Sequence, residues 1–260
     1  MLMKTKSKAT KRGYGWQPDL PDMRDHQYSA PVALLGKLPP KVDLRPKCPP
    51  VLDQGQLGSC TANAIGNAHL FSQKKEGKKK PFTPSRLFIY YNERAMEGTI
   101  NSDAGAQIRD GIKSIAKLGV CPETELPYDI TKFTQKPSAK CFSDGLKNQA
   151  LSYQRLVQTL SQLKGCLASG FPFVFGFTVY DSFESDTVAK TGVAPMPSGG
   201  EKVLGGHAVL AVGYDDPSQR FIVMNSWSTG WGQKGYFTIP YAYLTDDNLS
   251  ADFWTVRLVE

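Results

Sequence analysis

The chain lacks any long apolar run. Its longest uncharged hydrophobic stretch, Phe171 to Tyr180, has ten residues. A bilayer-spanning helix needs ~20, which excludes an integral membrane protein of that kind. A secretory signal is missing too. The basic amino terminus runs straight into Gly13-Tyr14-Gly15-Trp16, with no apolar segment of ~7–15 residues. The expected location is therefore cytoplasmic, or outside the cell or in a virion by a non-Sec route. The five cysteines (Cys48, Cys60, Cys121, Cys141, Cys166) are odd in number and include no CxxC pair. Neither a disulfide framework nor a zinc site is expected, and no metal or cofactor.

Charged residues make up only 21% of the 260 residues, and 40% are hydrophobic, with 13 Phe, 11 Tyr and 4 Trp. Such a chain folds around a large core, in one domain or two lobes. The net charge of +7 is carried by two short runs. One is Lys4, Lys6, Lys8, Lys11 and Arg12; the other is Lys74-Lys75-Glu76-Gly77-Lys78-Lys79-Lys80. The rest is slightly acidic, so the runs read as a disordered tail and a solvated loop. Neither nucleic acid nor membrane is an expected partner.

Residues 13–40 are rich in proline and aromatics and read as an extended arm. A glycine-punctuated loop, Asp53-Gln54-Gly55-Gln56-Leu57-Gly58-Ser59-Cys60, opens a helix over 60–75, with Ser59 as N-cap and Gly77 as its stop. A second helix is predicted from Thr83-Pro84, with proline at its first position, to Gly98, a third from Gly105 to Leu118, and a fourth from Tyr153 to Ala168. Residues 120–150 read as irregular. Strands are predicted at 173–179, 207–213, 220–224, 234–239 and 253–258, with His207 at the start of its strand. Helices precede strands without βαβ alternation, so the fold class is α+β. The expected layout is an arm over 1–40, a mainly helical lobe over 41–150 and a β-rich lobe over 151–260.

A cysteine nucleophile needs a helix N-terminus and an imidazole to ionise it, a group to orient the imidazole, and donors for the oxyanion. Cys60 stands at a predicted helix start, and Gln54 on the same loop can turn its amide towards the thiol. Of three histidines, His26 lies in the arm and His69 mid-helix. His207 precedes an apolar strand, and Asn225 ends the next strand of a hairpin, which can bring the two side chains together. Trp227 can shield their hydrogen bond from water.

These residues resemble the papain-like cysteine peptidases, in its compact bacterial or viral branch. The resemblance runs from about residue 41 to the C-terminus. It rests on the 53–60 block, on Gly206-His207-Ala208-Val209-Leu210-Ala211-Val212-Gly213-Tyr214 and on Asn225-Ser226-Trp227-Ser228-Thr229-Gly230-Trp231-Gly232-Gln233-Lys234-Gly235-Tyr236. Cys60 precedes His207 by 147 residues, within the family's ~130–150. The resemblance implies two lobes, helical and antiparallel β-sheet or barrel-like, with the groove between them. It implies Cys60 as nucleophile with an acidic thiol, His207 as base and then acid, Asn225 as orienter, and Gln54 with the Cys60 N–H as oxyanion hole. Gly105 falls on the segment that pairs with substrate backbone. Gly176, Gly206 and Ala208 fall on the pocket for the second residue before the scissile bond, sized for a bulky apolar side chain, with Trp227 alongside.

The implied activity is peptide-bond hydrolysis through an acyl-thioester, on a peptide or protein substrate, by a monomer made as a zymogen. Rival readings are an acyl transferase or peptide ligase on the same Cys-His-Asn machinery, and an inactive binding module. The arm is expected to be an intramolecular inhibitor in the groove; the alternative is a strand packed permanently on the sheet. The sequence departs from the family pattern at Leu57 (usually Cys), Thr61 (usually aromatic), Ser228 (usually Gly) and Gly206 (often Asp or Asn). Without Cys at 57 the family's disulfide there is absent, and the other four cysteines are expected to be free.

Overall fold

The structure, a computed structural model, describes residues 13–260. The tail expected to be disordered, residues 1–12, lies outside them. In chain order the elements are β1 (Trp16–Gln17), β2 (Gln27–Tyr28), α1 (Val32–Leu35), β3 (Lys41–Asp43), α2 (Cys60–Lys75), α3 (Arg86–Glu97), β4 (Ala106–Gln107), α4 (Ile108–Lys117), α5 (Ala139–Gly145), β5 (Ala150–Leu156), α6 (Leu160–Ala168), β6 (Phe173–Tyr180), α7 (Asp186–Thr191), β7 (Val203–Asp215), β8 (Arg220–Met224), β9 (Tyr236–Pro240), α8 (Tyr241–Thr245) and β10 (Ser250–Val259).

Helix α2 has the predicted bounds. Lys74 and Lys75 crowd its last turn, complementing the helix dipole. It is buried all round from Cys60 to Gln73 because it packs on α3 and α4 on one side and on β6, β7 and β10 on the other. That position between helices and sheet carries its amino end, with Cys60, to the sheet.

Several predicted bounds shift, each for a local reason. Helix α3 starts at Arg86, since the Ser85 hydroxyl caps it by accepting from the Phe88 N–H; Pro84 lies outside and bridges to Pro122. Helix α4 starts at Ile108, because Ala106–Gln107 pairs with β1 instead. Residues 120–150 contain a short helix, α5, capped by Ser138. The fourth predicted helix begins late, at Leu160, because Tyr153–Leu156 belong to β5, which is hydrogen-bonded on both sides, to β10 and to β2; this pairing overrides the local periodicity. His207 sits mid-strand, because β7 begins four residues earlier, at Val203.

The main sheet has eight strands in the order β2-β5-β10-β6-β7-β8-β9, with β3 added on β7. It is open, not a closed barrel, and antiparallel except for the parallel β2–β5 pair. Phe173, Phe175 and Phe177 of β6 join Phe221, Phe237 and Phe253 in its core. The arm meets the body in two places. Residues 13–17 lie against the loop before α2 and pair with β4, and β2 adds a strand to the sheet edge, as in the packed alternative.

Candidate active site

The loop before α2 is fixed by polar contacts. Both Asp103 carboxylate oxygens accept from the Gly58 N–H at 3.0 Å, and Tyr90 donates to the same carboxylate at 2.5 Å. Ser59 stands at the N-cap without capping; its hydroxyl meets Tyr128 and Asn63 instead. Gln54 is fully buried. Its Oε1 accepts from Ser226 Oγ at 2.6 Å, and its Nε2 donates to Leu57 O at 2.9 Å. The Gln54 N–H also donates to Ser226 O, which ties this loop to the segment after β8.

That segment begins with Asn225. Its Oδ1 accepts from the Ser226 N–H at 2.8 Å and from His207 Nε2 at 2.8 Å. An amide oxygen only accepts, so Nε2 carries the hydrogen and Nδ1 is left to exchange a proton. Trp227 stacks on the imidazole at 4.8 Å and 21°, closing off the His207–Asn225 bond. His207 and Cys60 lie on adjoining elements. The backbone N–H of Ala208, the residue after His207, faces the Cys60 sulfur.

The arm lies across this constellation. Gln54 Nε2 donates to Gly13 O at 3.0 Å, and the Gly15 N–H faces the Cys60 sulfur. Gly15 O accepts from Ala106 N at 2.7 Å. Gly105 has φ 76°, and a Cβ on it would lie 2.1 Å from Gly15 O, so only glycine admits the chain here. Tyr14 stands edge-on to His207 and Trp227, its hydroxyl bonded to Glu184. Trp16 enters a recess against Gly176 and Gly206, where Cβ atoms would come within 2.0 and 2.8 Å of its ring. Ala208 pairs with Gly176 across the strands.

The structure thus gathers Cys60, His207, Asn225 and Gln54, and brings Gly105, Gly176 and Gly206 against the arm. Trp227 lies on the imidazole and faces Tyr14. His69 is elsewhere, buried between Asn148 O and Gln73. All five cysteines are free of disulfides. The Cys60 thiol is not acidic here, contrary to expectation: burial under the arm pushes it up to about 11, against the pull of the N–H groups of Ala208, Gly15 and Thr61. Thr61, one of the departures, donates to buried Glu93 at 2.9 Å, and Ser228, another, takes the left-handed φ of 62° that suits the usual glycine. Asp103, Ser226 and Glu184 were not singled out as site residues. Nothing local marks them, since their contacts are long-range.

Further out, Asp19 and Asp25 anchor the arm. Asp25 meets Arg109 in a buried ion pair at 2.6 Å. Asp19 accepts from Trp254 Nε1 and Arg155. Burial and the neighbouring Asp252 carboxylate push Asp19 up to about 7.

A buried cysteine at a helix start, a histidine held by an asparagine on the adjoining sheet, and a buried glutamine on the loop before that helix form the arrangement of a cysteine peptidase of the papain type. Residues 38–244 match the papain family cysteine protease model, and the chain belongs to that family. It is 43% identical over 272 residues to an uncharacterized peptidase C1-like protein of Acanthamoeba polyphaga mimivirus, covering 95% of this chain and 88% of that one. It superposes on xylellain, a cysteine protease from Xylella fastidiosa, with a TM-score of 0.90, 44% identity and coverage of 99% of this chain and 100% of the other. Digestive procathepsin L 3 of Tenebrio molitor larval midgut shares the fold, with a TM-score of 0.71 at 19% identity over 96% of this chain and 77% of that one. The protein is a papain-family cysteine peptidase, a hydrolase of the two-lobe α+β fold.

Proposed function

We propose that Cys60 is the nucleophile, His207 the acid–base, Asn225 the orienter of the imidazole, and Gln54 with the Cys60 N–H the oxyanion hole, and that residues 13–17 inhibit the site until displaced. His207 takes the Cys60 proton, and the thiolate attacks the peptide carbonyl of a peptide or protein substrate. The oxyanion is met by Gln54 Nε2, already fixed by Leu57 O and Ser226, so little reorganisation is needed. The C–N bond breaks as His207 gives its proton to the leaving amine. Water then attacks the thioester, its proton passing to His207, and releases the acid and the thiolate.

The observation that carries this reading is the Gly13 carbonyl on Gln54 Nε2 with the Gly15 N–H on the Cys60 sulfur. The arm's backbone occupies the place of the scissile group. It runs from the oxyanion donor at Gly13 towards the recess at Trp16, whereas a substrate would run from recess to oxyanion hole. The reversed chain presents its peptide groups in the wrong sense for attack, which explains how it can fill the groove uncut. The test is an epoxide warhead with the full-length chain carrying Trp16→Ala, which loosens the arm. The adduct should map to Cys60, disappear in Cys60→Ala, slow sharply in His207→Ala and block hydrolysis of dipeptidyl coumarin amides. Hydrolysis that survives complete Cys60 modification would refute the assignment.

A further inference from the structure

One peptide group aims the amide of Gln54. Its carbonyl, Leu57 O, accepts from Gln54 Nε2 at 2.9 Å. Its other side, the Gly58 N–H, donates to both oxygens of Asp103 at 3.0 Å. The Leu57–Gly58 peptide therefore lies between a carboxylate and the amide that meets the oxyanion. An anion on a peptide N–H polarises the carbonyl of the same group and strengthens the bond that carbonyl accepts. The second hydrogen on Gln54 Nε2 points at Gly13 O, and Ser226 Oγ holds Oε1 at 2.6 Å. Without Leu57 O the amide would keep only the Ser226 tie and could turn about it.

This peptide needs a lock. Residue 58 is glycine, which accepts either sign of φ, so the peptide before it flips at little cost. A flip would swing Leu57 O away from Gln54. No disulfide ties the loop, since position 57 is leucine and the cysteines are free. Asp103 is itself held firmly. Tyr90, fully buried on α3, donates to its Oδ1 at 2.5 Å and accepts from the Gly105 N–H at 3.2 Å. Arg94, one turn along α3 and also fully buried, stands 4.1 Å from the centre of the Tyr90 ring and donates to Ser102 O at 3.3 Å. Helix α3 packs on α2, so the carboxylate is fixed to the same body that carries Cys60. Glycine at 58 also admits the carboxylate, since a Cβ there would stand 3.0 Å from Asp103 Oδ1.

We propose that Asp103 is a positioning residue of the oxyanion hole, locking the Leu57–Gly58 peptide in the sense that aims the Gln54 amide. This rests on the assignment of Gln54 above. Asp103 meets no reacting atom, so its effect passes through Gln54.

The test uses the full-length chain carrying Trp16→Ala and a dipeptidyl coumarin amide. Asp103→Ala should lower kcat by about tenfold with KM little changed. Added to Gln54→Ala, the same substitution should cost less than about twofold, because the group it aims is gone. Asp103→Asn keeps an oxygen for the Gly58 and Tyr90 donors and should stay within about threefold of its parent. Alkylation of Cys60 by iodoacetamide forms no oxyanion, so its rate should be the same with and without Asp103→Ala. A further readout needs no catalysis: the Gly58 amide should exchange its hydrogen about tenfold faster in Asp103→Ala. Unchanged kcat in Asp103→Ala while Gln54→Ala loses activity would overturn the proposal alone. So would a loss that multiplies with that of Gln54→Ala, a parallel fall in alkylation, or unchanged Gly58 exchange. Normal kcat in Gln54→Ala would overturn the oxyanion assignment, and this proposal with it.

Discussion

Replacing Trp16 by Ala in the full-length chain should unmask Cys60. The indole is 9% exposed, packed on Gly176 and Gly206 and bonded to Asp252. Truncating a buried tryptophan to alanine costs ~3–5 kcal/mol. Residues 18–35 stay held by the Asp25–Arg109 pair and the β2–β5 strand pair, so the loss falls on the docking of residues 13–17. A loss of about 3 kcal/mol raises the open fraction ~150-fold, at 1.4 kcal/mol per factor of ten. With the arm down, a thiol at about 11 is ionised at pH 7 in only ~1 of 10⁴ molecules. With it lifted, the helix N-terminus and imidazole allow the ~3.5–7.5 of activated thiols. The assay is iodoacetamide labelling at pH 7 read by peptide mapping, with the other four cysteines as references. Cys60 should gain about a hundredfold over wild type while the references stay put. An unchanged rate with a melting temperature several degrees lower would show the indole to be structural packing alone. Deleting residues 1–37 is a poorer test, since it also removes β2 from the sheet edge.

Gln54→Ala should lower kcat by ~10²–10³ with KM little changed, measured on a coumarin amide in the Trp16→Ala background; normal kcat would remove Gln54 from the oxyanion hole. Asn225→Ala should cost less than His207→Ala in the same assay, because it orients the imidazole but transfers no proton. Thiol titration of denatured, unreduced protein should count all five cysteines, and a count of one would contradict the structure. Glu93 is fully buried, and its pKa is raised far above the usual 4.5, chiefly by burial. Its contribution to stability is therefore complete below pH ~4.5 and is lost by up to ~1.4 kcal/mol per unit as pH rises towards the native value. Glu93→Gln should thus leave the melting temperature unchanged at pH 4 and raise it increasingly from pH 5 to 8; a gain confined to acid pH would reverse the sign of this reasoning.

The proposed catalytic constellation was legible because each member carries a local mark: Cys60 after Gly58-Ser59 at a helix start, His207 and Asn225 on a hairpin, Gln54 on a glycine loop. The core strands were legible for a similar reason, since the 173–177 and 221–224 runs are continuously apolar and β-rich in composition. Elements decided by partners were not. Tyr153–Leu156 has helical spacing, yet β10 and β2 claim its backbone, and Ala106–Gln107 leaves the helix to pair with the arm. The raised pKa of the thiol was not legible because it comes from burial, to which the arm, 45 residues away at Gly15, contributes. Asp252 is the one acidic residue of β10, and only the bulge shows where it points.

The most direct measurement traps the acyl-enzyme. Full-length Trp16→Ala protein turning over a peptide ester, quenched in acid and weighed intact, should carry one acyl group, because ester acylation outpaces deacylation. Peptide mapping should place it on Cys60, and Cys60→Ala should show neither adduct nor turnover. An acyl group on any other residue, or turnover persisting in Cys60→Ala, would contradict the account.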